Sequence, residues 1–153
     1  MQRRQAATGF YTQEIRQNNI RKGFSWKRLD GVDGTLAHTN IKGPWIVGKY
    51  GVDVAGFEKS VVPILDVEQT DVELFVIDEI GKMECFSEKF VTAIRRLFAS
   101  EKSVLATVAQ KGAGLISEVK NYSNTTLFNL TSVSREKVVA EILQTLSFLK
   151  GAS

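Results

Sequence analysis

The sequence predicts an α/β protein with a parallel sheet covered by helices on both faces, and three observations support this class. From Val72 onward, apolar runs typical of strands alternate with stretches of helical periodicity. Leu74–Ile77 is apolar on both faces, as expected for a central parallel strand. The first third instead alternates short apolar runs with polar turns, which indicates a β-meander ahead of the parallel part.

Local patterns place the individual elements. We expect strands at Gly9–Arg16, Ile20–Leu29, Thr35–Thr39, Trp45–Val47, Val72–Ile77, Ser103–Val108 and Thr125–Leu130. Helical spacing is found at about 56–66 with a kink at Pro63, after Ser87 as N-cap, over Gly114–Lys120, and from near Ser134 onward. The last helix is expected to bury Val138, Val139, Ile142, Leu143, Leu146 and Leu149.

Bulk composition is that of a globular protein. The chain has 153 residues, 43% of them hydrophobic and 24% charged, which predicts a single domain over residues 1–153 with a substantial core. No apolar run approaches the length of a membrane span, and no signal peptide is apparent. A single cysteine excludes an internal disulfide and favours a reducing compartment, so we expect a cytoplasmic protein. The oligomeric state is not indicated.

Charge is unevenly distributed along the chain. Residues 1–50 contain nine Lys/Arg and three Asp/Glu, whereas residues 51–100 contain five and ten. The basic segment is either a surface that attracts polyanions such as nucleotides or a solvated strand face. No interleaving of arginine with aromatic residues is present, so nucleic-acid binding is not favoured.

Two adjacent carboxylates, Asp78 and Glu79, follow the apolar strand Val72–Ile77. Ligands of parallel sheets bind beyond the carboxyl ends of the strands, where Asp78 is suited to binding Mg²⁺ and Glu79 to activating a water molecule. Thr107 ends the next strand and is a candidate sensor of a bound phosphate. The alternatives are a loop that merely favours negative charge and a threonine chosen for its β-propensity.

The longer string around the acidic pair resembles a known family. Val76–Ser87, VIDEIGKMECFS, is similar to the IDEIGKMELFS typical of the nucleoside-triphosphatase family that includes the cancer-related and thermophilic nucleoside-triphosphatases. Gly9–Arg16, GFYTQEIR, resembles that family's GFYTEEVR, and further similar blocks extend over nearly the whole chain, from Val47–Leu65 to the LTSVSREK segment.

The resemblance implies a three-layer P-loop NTPase fold of the RecA-like type, with a parallel sheet and an N-proximal β-meander insertion. It implies Mg²⁺-dependent hydrolysis of nucleoside 5′-triphosphates to the diphosphate and phosphate. In that reaction Asp78 would hold the metal and Glu79 would activate water. Thr107, Lys82, Arg135 and Arg16 are the candidate nucleotide-binding residues, with a structural pairing of Lys82 to Glu84, or of Arg16 to Glu14, as alternatives.

The family's phosphate-holding glycine-rich loop would precede the GFYT strand, yet only eight residues precede Gly9. No G-x-x-x-x-G-K-S/T string occurs in the chain. We therefore expect that a first strand, phosphate loop and helix are missing by N-terminal truncation, and that this form is inactive or impaired. The alternative function is a non-catalytic, nucleotide- or protein-binding relative. Retention of both carboxylates favours the enzyme.

Overall fold

A computed structural model describes residues 6–151, with side-chain surroundings described as far as Ser147. Internal contacts divide the chain into two compact units, the first extending to Tyr122 and the second beginning at Ser123. The first unit holds the sheet and three helices, and the second holds the last helix. The expectation of a single domain over residues 1–153 stays a prediction.

The first unit is organised around one seven-stranded sheet. Its strands are β1 (Ala6–Gln17), β2 (Ile20–Arg28), β3 (Asp33–His38), β4 (Ile46–Val47), β5 (Tyr50–Val52), β6 (Val72–Ile80) and β7 (Ser103–Val108). Their order across the sheet is β4-β5-β3-β2-β1-β6-β7. The candidate site lies on β6 and β7, the last two strands in this order.

The sheet is mixed, which corrects the expectation of a parallel sheet. Only β1, β6 and β7 run parallel, whereas β1–β2, β2–β3, β3–β5 and β4–β5 are antiparallel. The predicted meander is present, but it is continuous with the parallel part. The reason is the 12-residue length of β1, whose first half pairs with β6 while most of the strand pairs with β2.

The turn between β1 and β2 and the end of the first helix both follow from local backbone preferences. The β1–β2 turn places Asn18 and Asn19 at φ 50° and 62°, the left-handed conformation that asparagine tolerates and that matches strand twist. Helix α1 (Val54–Ser60) ends before Pro63, and the chain continues as a 3₁₀ helix over Val62–Leu65. Pro63 has no N–H for a continuing helix, so the predicted kink is a helix end.

Helix α2 (Glu88–Phe98) begins as predicted, because the Ser87 side chain accepts a hydrogen bond from the Phe90 N–H at 3.0 Å. Its buried residues are Phe90, Ile94 and Leu97, which lie on one side of the helix. Helix α3 (Leu115–Val119) follows β7 within the span predicted for it.

Aromatic rings hold α1 and α2 against one face of the sheet. Phe10 of β1 packs edge-on against Phe57 of α1 and Phe90 of α2, with ring centroids 5.6 and 6.1 Å apart. Ile77 is the register partner of Phe10, shares its face and is fully buried. The apolar face of β6 therefore turns toward the helices, and the alternate residues Leu74, Val76 and Asp78 lie on the opposite face.

The strand predicted at Thr125–Leu130 is wrong. The segment has no regular structure, and Leu127 and Leu130 are 57% and 56% exposed. A six-residue segment forms a strand only when a neighbouring strand shares its backbone hydrogen bonds, and among the described residues none pairs with this one. The sequence pattern indicates strand propensity but does not indicate whether a partner strand is available.

Helix α4 (Arg135–Gly151) begins where the sequence predicts it. Val138 is buried, whereas Val139 and Leu143 are 47% and 59% exposed, so the predicted burial of those two residues is wrong. Ile142 and Leu146 are half-buried, and the side chain of Leu149 lies outside the described part. A helical apolar stripe shows which face is available, but burial requires a surface that covers it.

In the described part of the chain, no helix is both long and apolar enough to cross a membrane.

The β1–β6 pairing depends on Gly9. Its φ is +137°, and a Cβ built there would lie 1.8 Å from the Val76 carbonyl oxygen. We expect Gly9→Ala to lower the free energy of unfolding, measured by urea denaturation, by about 3 kcal/mol or more, because backbone atoms must separate. Gly31→Ala is the matched control, since Gly31 also has positive φ (+95°) but open space around it. Its cost is about 1 kcal/mol from backbone strain alone, and equal losses in the two variants would contradict the steric account.

Candidate active site at the carboxyl end of the parallel strands

Asp78 and Glu79 lie within β6, which extends to Ile80, rather than after it as the sequence suggested. Ile77 pairs with Ala106 and Ile80 with Val108, so the two carboxylate residues stand opposite the single residue Thr107. The peptide bond that joins them is cis. The extra residue in β6 interrupts the ladder between Ile77 and Ile80, so the regular alternation of side chains ends after Asp78.

Thr107 and Asp78 are brought together as the sequence predicts. The Thr107 hydroxyl donates a hydrogen bond of 2.6 Å to Asp78 Oδ1 across the β6–β7 ladder. Asp78 is half-buried and Thr107 is exposed, so the pair lies at the surface of the structure. The hydrogen bond fixes the orientation of the Asp78 carboxylate at the ends of both strands.

Glu79 has a different environment from Asp78. Its side chain is partly withdrawn from solvent, and this burial raises its pKa, with the adjacent negative charge of Asp78 raising it further. A carboxylate with a raised pKa holds a transferred proton more tightly than an exposed one does. The arrangement therefore gives the two neighbouring acids different chemical capacities, with Asp78 oriented by a hydrogen bond and Glu79 made more basic.

A third carboxyl group, Glu84, belongs to the same site and was not selected from the sequence. It opens the 3₁₀ helix Glu84–Phe86 and is only 3% exposed. Burial raises the pKa of Glu84 to about 8; the charges of Glu79 and Asp78 add to this, and backbone N–H groups of Glu84 and Gly81 oppose it. The sequence contained one signal that could have identified Glu84, its spacing of six residues from Asp78. Spacing alone does not show whether a side chain is buried.

Gly81 lies between Glu79 and Glu84. A Cβ built on Gly81 would lie 2.7 Å from Glu79 Oε1 and 2.8 Å from Glu84 Oε2. A side chain at this position would therefore have to displace both carboxyl groups. Glycine allows the two groups to occupy the same side of the turn that follows β6.

The turn is itself fixed by local hydrogen bonds. The Cys85 N–H bonds the Gly81 carbonyl at 3.0 Å, and the Ser87 N–H bonds the Glu84 carbonyl at 3.1 Å. The Ser87 hydroxyl in turn donates to Glu58 of α1 at 2.8 Å while capping α2. The residues that follow the acidic pair are thus anchored to two helices.

Lys82 is exposed. Among the described residues no ion pair joins Lys82 to Glu84, so the structural alternative offered by the sequence is wrong. Lys82 remains adjacent in sequence to the acidic site, and its role toward a phosphate stays a prediction.

Arg16 is not brought together with the acidic pair. It lies near the β1–β2 turn, where Nε donates to Glu14 at 2.8 Å and Nη1 donates to the Asn19 carbonyl at 3.1 Å. Phe10 is level with Ile77, so at about 3.3 Å per residue Arg16 lies roughly 15 Å or more beyond the site along β1. The alternative of an ion pair with Glu14 describes its observed surroundings.

Arg135 is the first residue of α4 and belongs to the second unit. Ser134, just before it, forms a compact capping arrangement in which its N–H donates to the Thr131 hydroxyl at 3.1 Å. The assignment of Arg135 to a nucleotide stays a prediction.

The described arginines of the β1–β2 hairpin are paired with carboxylates. Glu14 binds both Arg16 and Arg21, and Asp30 binds Arg28. The two lysines of β2 form no ion pair among the described residues, so both interpretations of the basic segment stay open.

Among the described residues, no three His, Cys, Asp or Glu side chains are arranged to hold a metal ion. Asp78, Glu79 and Glu84 are therefore not a carboxylate cage. The half-buried Asp78 carboxylate fits instead a cation that keeps several water ligands.

Comparison with known proteins identifies the class. The family model described as NTPase matches residues 1–143. A nucleoside-triphosphatase THEP1 of Thermotoga maritima is 38% identical over 147 residues, covering 96% of this chain and 84% of the relative. The crystal structure of THEP1 from Aquifex aeolicus superposes with a TM-score of 0.83 at 31% identity, covering 92% of this chain and 83% of that one.

A human cancer-related nucleoside triphosphatase, solved in solution, gives a TM-score of 0.74 at 33% identity and covers 92% of this chain and 81% of that one. The chain therefore belongs to the NTPase family, and the resemblance seen in the sequence is confirmed. The absence of a phosphate-binding loop is not confirmed by these comparisons and stays a prediction.

The buried Glu84 predicts how stability depends on pH. Its folded pKa of about 8 lies above the ordinary value of 4.5, so the folded state retains a proton that the unfolded state releases. The stability is therefore highest, as far as Glu84 is concerned, below pH 4.5, and the free energy of unfolding falls as the pH rises from 4.5 toward 8. Because Gln cannot ionise, Glu84→Gln should flatten most of this slope, with a gain on the order of a few kcal/mol at pH 8.

The measurement is urea denaturation at a series of pH values. Glu73→Gln is the control, because Glu73 is exposed on the same strand and should leave the slope unchanged. An unaltered slope in Glu84→Gln would contradict the assignment.

Proposed function

We propose that the chain carries the catalytic acids of a Mg²⁺-dependent nucleoside-triphosphatase, which hydrolyses nucleoside 5′-triphosphates to the diphosphate and phosphate. One observation carries this assignment. Asp78 is oriented by Thr107 at the carboxyl ends of two parallel strands, with the more basic Glu79 beside it. Membership of the NTPase family and the names of its relatives support the substrate class.

Asp78 and Thr107 would form the metal side of the site. Mg²⁺ prefers oxygen ligands and is usually bound by one or two carboxylates together with substrate phosphates and water. When bound, the ion neutralises charge on the phosphate oxygens. Thr107 holds one Asp78 oxygen by its 2.6 Å hydrogen bond, which leaves the other oxygen for the ion or for its water shell.

Glu79 would act on the attacking water. The water oxygen forms a bond to the γ-phosphorus, the bond from that phosphorus to the bridging oxygen breaks, and the electron pair leaves with the nucleoside diphosphate. Glu79 aligns the water and accepts its proton. Partial burial favours this role, because it raises the affinity of the carboxylate for a proton while water still has access.

We further propose that a strand, phosphate loop and helix of about 30 residues complete the fold as a three-layer, RecA-like P-loop NTPase. Two features of the described residues support this. β7 is the last strand of the sheet, although the sequence of Val104–Ala106 is apolar as in an interior strand. Leu74, Val76 and Leu105, which share the face of Asp78, are only half-buried. An additional strand and helix would cover this edge and face.

The proposal gives a direct activity test. A protein consisting of residues 1–153 should release little or no phosphate from ATP or GTP, because its sequence has no G-x-x-x-x-G-K-S/T loop to cradle the β- and γ-phosphates. The same protein extended upstream in its reading frame should hydrolyse both in the presence of Mg²⁺, and EDTA should abolish the activity. Full activity of the 153-residue chain, or upstream DNA without an in-frame glycine-rich loop, would contradict the proposed completion.

The role of Glu79 is tested in the extended protein. Glu79→Gln keeps the size of the side chain but removes its capacity to accept a proton, so kcat should fall by roughly 100-fold to 10,000-fold, with KM little changed. Glu73→Gln, at an exposed position of the same strand, is the control and should retain wild-type turnover. Unchanged phosphate release by Glu79→Gln would exclude this residue as the base.

A further inference from the structure

Trp45 is a large aromatic side chain that the proposed mechanism does not use. It directly precedes β4, and 43% of the residue is exposed. Trp26, the other tryptophan of the chain, is buried in the core. A single exposed apolar side chain is common at protein surfaces. What distinguishes Trp45 is the place where its ring lies.

The ring of Trp45 packs on the turn that follows the acidic pair. Its centroid is 5.2 Å from the centroid of the Phe86 ring, with 37° between the ring planes. Phe86 is half-buried and ends the 3₁₀ helix Glu84–Phe86. Trp45 belongs to the β-meander, so this contact brings a distant part of the chain to the candidate active site.

Phe86 lies a short distance from the acids. A Cβ built on Gly81 would lie 2.7 Å from Glu79 Oε1. The chain from Gly81 to Phe86 is a tight turn, closed by hydrogen bonds from the Cys85 N–H to the Gly81 carbonyl and from the Phe86 N–H to the Met83 carbonyl, at 3.0 and 3.3 Å. At about 2 Å per residue of 3₁₀ helix, Phe86 is roughly 10 Å from Gly81. A ribose and two further phosphates separate the nucleobase of a triphosphate from its γ-phosphate, so the acids and the ring pair can contact opposite ends of one nucleotide.

Both rings are held by their own backbones. The Trp45 carbonyl accepts a hydrogen bond of 2.9 Å from the Val52 N–H. The residue after Phe86 is Ser87, which caps α2 and donates to Glu58 of α1 at 2.8 Å. A side chain that is already fixed loses little conformational entropy when a ligand covers it. The exposed face of Trp45 is therefore suited to binding a flat ring.

The segment around Trp45 is positively charged. Residues 39–52 contain Lys42 and Lys49 and no Asp or Glu. Both lysines are exposed, and neither forms an ion pair among the described residues. The Lys49 ammonium nitrogen lies 5.5 Å from the centroid of the Tyr50 ring. An exposed aromatic ring among such cations complements a ligand that is both aromatic and anionic, as a nucleotide is.

We propose that Trp45, supported from behind by Phe86, is the platform on which the nucleobase of the substrate stacks. Every nucleobase has an aromatic face, so stacking of this kind does not select one base over another. The platform therefore serves ATP and GTP alike, while Lys42 and Lys49 attract the negatively charged nucleotide. The inference deepens the proposed function and rests on it for the identity of the ligand.

The kinetic test compares Trp45→Ala and Trp45→Phe with the wild type in the full protein that the gene encodes, with Mg²⁺ and a phosphate-release assay. Loss of the ring should raise KM for both ATP and GTP about 5-fold to 100-fold, and kcat should be little changed because the acids remain. Trp45→Phe keeps an aromatic face and should lie close to the wild-type KM. Ile20→Ala is the control, because Ile20 is 53% exposed at the start of β2 and should leave KM unchanged.

Inorganic tripolyphosphate separates stacking from a purely structural role. It carries the phosphates without a nucleobase, so its inhibition constant against ATP should be the same in Trp45→Ala and the wild type. An unchanged KM for ATP and GTP in Trp45→Ala overturns the inference. A loss of tripolyphosphate affinity as large as the loss of ATP affinity also overturns it, since Trp45 would then support the phosphate end of the site.

Fluorescence provides a measurement that does not depend on hydrolysis. Titration with ADP and Mg²⁺ should quench the tryptophan emission of the wild type, because a stacked base covers the Trp45 ring, and Trp45→Phe should lose this quenching. Equal quenching in the two proteins overturns the inference. The same comparison decides the question if Trp45→Ala fails to fold by circular dichroism.

Glu79→Gln is measured alongside to separate the two proposals. If Glu79→Gln is inactive and Trp45→Ala has the wild-type KM, the platform fails and the proposed function stands. If Glu79→Gln turns over normally and quenching by ADP still requires Trp45, the assignment of the catalytic base fails and the nucleotide platform stands.

Discussion

The parallel pairing of β6 with β1 on one side and with β7 on the other is the constraint on which the site depends. Close approach to β1 is possible because Gly9 presents no Cβ to the Val76 carbonyl, and this approach sets Phe10 level with Ile77. One face of β6 then lies toward the aromatic rings of α1 and α2. On the β7 side the regular ladder ends at Ile77, where the bulge releases two carboxylates beside Thr107.

A short segment of chain thus places three carboxyl groups in three environments. Asp78 is half-buried and accepts a hydrogen bond from the Thr107 hydroxyl. Glu79 is partly desolvated, and Glu84 is buried with its pKa raised to about 8. Environments that separate the proton affinities of neighbouring acids are how active sites assign different tasks to the same functional group.

The family relationship and the position of β7 at the edge of the sheet both bear on the proposal that a further strand completes the sheet. Relatives of known structure match 92% of the chain. In the described part of the chain, β7 ends the sheet although its sequence is apolar, and the apolar residues Leu74 and Val76 on one face of β6 are only half-buried. Thr125–Leu130 has no regular structure, because a segment with strand propensity but no partner strand leaves its backbone hydrogen bonds unmade.

The sequence by itself determined whatever depends on neighbouring residues. The Asn18-Asn19 turn, the helix end at Pro63, the Ser87 cap and the bounds of β7 follow from local backbone preferences, and the string around Asp78 and Glu79 was sufficient to indicate the family. Tertiary structure alone decided the mixed sheet, the exposure of Leu143 and the burial of Glu84, because each depends on what another part of the chain places beside it. In the sequence, Glu84 cannot be distinguished from any other charged residue. The turn at Gly81 brings it close to Glu79 and buries it, and desolvation depends on such surroundings rather than on residue type.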